Sequence, residues 1–170
     1  MNTAPVSHDD YMLLRQDRRQ RAFADVEEQK ARSADASYQE GDPDTVAEYY
    51  RVHFRATLKQ PEHLESLIAS LRRNFTKEGI LKARAIEARL MNETWLASEY
   101  DLLSGLKRLS IPTLVLHGDY DLIPVDCAAH IAWAIPGARL GVLRECGHFS
   151  YLERPDDVRK AITDFFESDR

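Results

Sequence analysis

A chain of 170 residues, 44% of them apolar and 30% charged, is long enough for one domain with a real core and reads as soluble and globular. A formal net charge of −5 gives nucleic acid little electrostatic reason to bind, and no stretch approaches the roughly 18 consecutive apolar residues of a membrane span. Only Cys127 and Cys146 are present, which is no disulfide framework, and no basic-then-apolar leader opens the sequence, so a cytoplasmic setting is expected.

Met1 to Ser7 is short, polar and unpatterned. From Tyr11 to about Ala36 the chain is rich in Arg, Glu, Gln and Ala, which favour helix. Gly41-Asp42-Pro43 breaks that run and restarts it, with Asp42 suited to an N-cap and Pro43 to the first helical position. Val46, Tyr49, Tyr50, Phe54 and Leu58 then follow helical spacing. Pro61 opens a further helix with Leu64, Leu67, Ile68 and Leu71 on one face. Asn74 or Thr76 starts another that runs through Ile80, Ala83, Ile86, Leu90 and Met91 towards Trp95.

The pattern switches after Ser110. Thr113–His117 is a short apolar run ending at Gly118, suited to a strand buried on both faces of a parallel sheet. Val125–Ile135 reads as a helix stopped by Pro136-Gly137, and Arg139–Arg144 as a second strand. Pro155 opens a last helix, with Asp156 and Asp157 in its first turn and an apolar stripe of Val158, Ala161, Ile162, Phe165 and Phe166. Strand, helix, strand, helix implies a parallel α/β arrangement, in which working residues sit just beyond the carboxyl ends of strands.

Asp121 and His148 occupy such positions. Gly118 lets the chain turn off the first strand, and a carboxylate there can orient an imidazole; capping the next helix or turn suits Asp121 equally well. Asp119 suits the capping role better. His148 follows Gly147 between a strand and the final helix, and imidazole is the natural base near neutral pH, although a lone histidine is more often structural. His8, His53, His63, His117 and His130 show no metal-ligand spacing with one another or with the cysteines, so neither metal nor cofactor is expected. No Gly-x-Ser-x-Gly occurs, Ser150 and Cys146 lie too near His148 in sequence to face it productively, and packing suits both cysteines better. Arg15, Arg18, Arg19 and Arg21 interleave with Asp17, Asp25, Glu27 and Glu28, as on a solvated helix face.

Taken together, two segments resemble a known family. PTLVLHGDYDLIP, ending at Pro124, resembles the acid segment of α/β-hydrolases, and CGHFSYLERP, ending at Pro155, resembles their histidine loop and final helix; PGARL lies between them in the family's order. The resemblance runs from about Ile111 to Phe166. It implies the C-terminal portion of an α/β-hydrolase: a helical lid over residues 1–110, then the last two βα units of the parallel sheet over 111–170. The lid is similar to those of proline iminopeptidase-like members, some of which hold a substrate amine on lid acids. Glu87 and Glu93 are of the right type, but helix-surface solvation suits them better.

By this resemblance Asp121 is the acid and His148 the base of a Ser-Asp-His triad acting on an ester or amide bond of a small molecule or short peptide. Met1 to Ser7 resembles the exit from the preceding core strand, so the expected nucleophile and oxyanion loop lie before Met1 and the chain alone is expected to be inactive. An Asp nucleophile there would imply epoxide or haloalkane hydrolysis instead. The competing expectation is a non-catalytic helical binding or assembly module carrying a relic sheet. A strand edge left open implies self-association or pairing with a complementary N-terminal half.

Overall fold

Side-chain capping sets several helix starts in the computed structural model, which describes residues 4–168; Met1 to Thr3, part of the expected strand exit, lie outside the described residues. Helix α1 (His8–Arg21) is capped by Ser7, whose hydroxyl accepts from Asp10 N at 3.1 Å. The helix-favouring run from Tyr11 to about Ala36 is interrupted at Ala22, whose φ of −133° and ψ of 38° leave the helical region while its methyl is buried. Helix α2 (Phe23–Ser33) follows, then a single turn, α3 (Ala36–Gln39). Asp42 caps α4 (Pro43–Arg55) by accepting from Thr45 N at 2.8 Å, with Pro43 in the first turn. A 3₁₀ turn at Pro61–His63 leads into α5 (Leu64–Asn74). Thr76, rather than Asn74, caps α6 (Lys77–Glu93), its hydroxyl accepting from Gly79 N at 3.1 Å. The short α7 (Leu103–Leu106) precedes the sheet.

Strand β1 (Leu114–Gly118) and strand β2 (Arg139–Leu143) pair in parallel, Leu114 opposite Arg139 and Gly118 opposite Leu143. Helix α8 (Val125–Ala134) makes the crossover and packs Ala128 and Ala132 on Val115, with Ile131 beside them. The one-turn α9 (Ser150–Glu153) and the long α10 (Pro155–Ser168) close the described chain. Contrary to the expectation of a strand buried on both faces, Leu114 and Leu116 are only partly covered. They border a groove of about 420 Å³ with Val158, Ile162 and Phe165 of α10. The sheet has two strands, so nothing among the described residues pairs with the other edge of β1.

The helical part is tied to the sheet part by polar contacts at several points. The imidazole Nδ1 of His130 lies 2.6 Å from the Asp10 carboxylate and Cys127 Sγ 3.8 Å from Asp10 O, while Ser7 bridges to Asp101 in antiparallel fashion within the helical part. Cys127 and Cys146 are fully buried, and burial pushes each thiol up to about 12. Neither thiol is therefore ionised near neutral pH, in line with packing rather than chemistry. Among the described residues no helix is long and apolar enough to cross a membrane.

Candidate functional site

Strand β1 ends at Gly118, where a Cβ would lie 2.3 Å from the Cys146 carbonyl oxygen; only glycine lets the two strand exits approach this closely. The exit is then pinned to the loop after β2: Asp119 N donates to Leu143 O at 2.9 Å and Tyr120 N to Cys146 O at 2.9 Å. Asp119 itself accepts from Cys146 N at 3.2 Å, a turn-holding role. The next carboxylate, Asp121, therefore projects where the second strand also ends.

Asp121 and His148 meet there. Asp121 Oδ2 lies 2.9 Å from His148 Nδ1, while Oδ1 accepts from Ile123 N at 2.9 Å. The Asp121 side chain is 4% exposed and that of His148 24%, so the acid is sealed while the imidazole stays reachable. A carboxylate accepts only, so it fixes the proton on Nδ1 and leaves the lone pair on Nε2. One Asp121 oxygen closes an Asx-type turn and the other holds the imidazole. Arg21 of α1 donates from Nη2 to the Asp121 carbonyl at 2.5 Å, which ties the helical part to the acid's own backbone.

The loop bearing His148 is fixed from the helical side as well. His148 N donates to Thr57 O at 2.8 Å, just past α4. Gly147 has no space for a side chain, since a Cβ would stand 2.1 Å from the Thr57 oxygen. Glu153, which sequence reasoning passed over, is the third fixing point. Its carboxylate is 5% exposed and accepts from Gly147 N at 2.7 Å, Lys59 N at 2.6 Å and Gln60 N at 2.8 Å. Among the described residues no serine, threonine or cysteine side chain bonds to His148, and no cluster of three or more His, Cys, Asp or Glu could hold a metal. His117, in β1, has its Nε2 2.8 Å from Ile123 O, and burial lowers its pKa; it braces the same turn from inside.

The α1 arginines do not all lie on a solvated face. Arg19 is exposed, whereas Arg18 is half-buried against α2 and α4, where its Nη2 reaches Gln29 and lies 3.2 Å from His53 Nδ1. Glu87 and Glu93 are exposed, and Glu93 pairs with Arg89 at 2.8 Å.

No family model matches the chain. A 2-hydroxy-6-oxononadienedioate/2-hydroxy-6-oxononatrienedioate hydrolase of Pseudomonas sp is 26% identical over 113 residues, 66% of this chain and 32% of that protein. Monoacylglycerol lipase ABHD6 of Mus musculus is 33% identical over 72 residues, 42% of this chain and 21% of the lipase. The chain thus spans a third or less of the length of these two curated relatives. Among solved structures, an alpha/beta fold family hydrolase from Bacillus anthracis superposes with a TM-score of 0.64 at 18% identity, covering 95% of this chain and 55% of that one. The 2-hydroxy-6-oxo-6-phenylhexa-2,4-dienoate hydrolase from Rhodococcus sp. gives 0.51 at 26% identity, covering 78% of this chain and 47% of that one.

Proposed function

The chain belongs to the α/β-hydrolase fold family and has the fold of that family's C-terminal part, and from this premise we propose that Asp121 and His148 are the acid and base of a hydrolase for ester or amide bonds in small molecules or short peptides. The observation that carries the reading is the 2.9 Å contact between a sealed carboxylate and a reachable imidazole at adjacent strand ends. His148 Nε2 takes the proton of a nucleophilic serine as its oxygen adds to the carbonyl carbon. The resulting imidazolium returns that proton to the departing alcohol or amine. Water then repeats the cycle on the acyl-enzyme and releases the acid. Asp121 holds the Nδ1 proton and stabilises the imidazolium.

In this reading the serine and the oxyanion donors come from a segment outside this sequence, and residues 1–110 form a lid over residues 111–170. What supports this is that, among the described residues, no nucleophilic side chain bonds to His148 and no strand pairs with the other edge of β1. The test is hydrolysis of p-nitrophenyl butyrate by the chain alone and by the chain expressed with the segment encoded directly upstream of Met1. The chain alone is expected to stay at the background rate. With the upstream segment, turnover is expected to fall about 10⁴-fold in Asp121→Asn and about 10⁶-fold in His148→Ala. Turnover by the chain alone that disappears in His148→Ala counts against an outside nucleophile. Turnover indifferent to both substitutions sinks the role of the pair.

A further inference from the structure

Helix α1 carries four arginines in seven residues, and Arg18 differs from its neighbours in what surrounds it. Arg15 lies over the Tyr11 ring at 5.8 Å, Arg19 is exposed, and Arg21 pairs with Asp17 at 2.6 Å. Arg18 is half-buried, and its guanidinium bonds to the Gln29 side-chain oxygen and to His53 Nδ1, not to a carboxylate. The acids of α2 nearest to hand are engaged elsewhere: Arg55 bonds Asp25 through Nε at 2.8 Å and Glu28 through Nη2 at 2.7 Å. Burial pulls the Arg18 guanidinium below its ordinary value. A half-buried cation whose hydrogen bonds go to neutral groups, with Asp25 acting on it only at longer range, leaves a place for a ligand's negative charge.

The neutral partners of Arg18 are also donors. Gln29 is 5% exposed, yet its amide nitrogen has no acceptor. Burial, then the charges of Arg18 and His148, push His53 down to about 4, so its ring is neutral near pH 7. With Nδ1 accepting from Arg18, the His53 proton sits on Nε2 as another donor. The cluster therefore holds one positive charge and an excess of donors. A groove of about 520 Å³ opens onto Arg18 between α1 and α2, with Arg15, Arg19 and Lys30 also on its walls and no Asp or Glu among its described lining residues. Lys30 is itself paired with Glu27 at 2.6 Å, which leaves Arg18 as the inner anchor. In a chain of net charge −5 this is a local inversion of sign.

The cluster adjoins the Asp121–His148 pair. His53 stands one helical turn before Thr57, whose carbonyl holds His148 N, and His148 acts electrostatically on the His53 ring. We propose that Arg18, with Gln29 and His53, binds the carboxylate of an acidic substrate or its product beside the Asp121–His148 pair. The planar guanidinium fork matches a carboxylate, and the Gln29 amide adds a neutral donor to the same anion. That the bound acid belongs to a reaction rests on the hydrolase reading; that an acid binds here does not.

The test is a titration of the 170-residue chain with benzoate and with its neutral isostere benzamide at low ionic strength, by calorimetry and by the imidazole NMR resonances of His53 and His148. Benzoate is expected to bind about tenfold more tightly than benzamide and to shift the His53 resonances. Arg18→Gln, with its fold checked by circular dichroism, is expected to lose that preference, whereas Arg159→Gln on the exposed face of α10 keeps it. Equal affinity of the unaltered chain for the two ligands overturns the proposal without recourse to any variant. Benzoate binding that persists in Arg18→Gln, or that leaves His53 unshifted, overturns it as well. No readout requires turnover, so failure of the hydrolase reading leaves this result interpretable.

Discussion

Glu153 gathers three backbone N–H groups from two loops onto one buried carboxylate. An amide in its place turns one oxygen into a donor facing another donor. Glu153→Gln is therefore expected to cost on the order of 2–3 kcal/mol in urea denaturation and to broaden the NMR signal of the proton between His148 and Asp121. An unchanged midpoint and a sharp signal would remove Glu153 from its fixing role. Residues of this kind explain what the sequence withheld. Asp121 and His148 stood out because each follows a glycine turn at a strand end, and the structure brings their side chains together. Glu153 sits in an acidic, polar stretch where nothing local marks it as buried. Its partners Lys59 and Gln60 are more than ninety residues away. Likewise four arginines at α1 spacing look alike in sequence, and only the packing of α2 and α4 selects Arg18 as the inward one.

Among the elements, α4 couples helix packing to titration. Its His53 is held well below the usual histidine value, at about 4, so the folded state resists taking up a proton that the unfolded chain accepts near pH 6.5. The unfolded state thus binds more protons between those values, and stability is full above about pH 6.5 and falls as pH drops towards 4. The loss from His53 is at most about 3 kcal/mol, at roughly 1.4 kcal/mol for each tenfold difference in proton affinity between the two states. His117, also lowered by burial, acts in the same direction. Chemical denaturation at pH 7 and pH 4.8 is expected to show the drop, and His53→Asn to shrink it; an equal drop in that variant would assign the effect elsewhere. The elements themselves were mostly readable, because Asp42, Pro43, Thr76 and Pro155 act through groups within three residues. The break at Ala22 was not, since nothing in its own side chain breaks a helix. The bend is fixed by burying that methyl and by α2 packing on α4, which no local window contains.

The whole molecule leaves part of its sheet layer uncovered. Leu140 and Val142 of β2 are exposed, Phe166 of α10 is 66% exposed, and among the described residues one edge of β1 has no partner strand. A two-stranded parallel sheet with an apolar rim is a template for further strands. In isolation the chain is expected to self-associate in sedimentation velocity at tens of micromolar, and Phe166→Glu to reduce that association without lowering the melting temperature. A monomer at every concentration, with a cooperative melt, would show that the rim is self-sufficient. The bond from His148 N to Thr57 O carries a different kind of consequence. The proposed base hangs by its own backbone from the helical layer, and Gly147 leaves no slack between them. That layer cannot be exchanged for a foreign cap as an independent module. A graft that moved the Thr57 carbonyl by an ångström would carry the imidazole with it, so new specificities are better sought by changing single side chains within these helices than by recombining them.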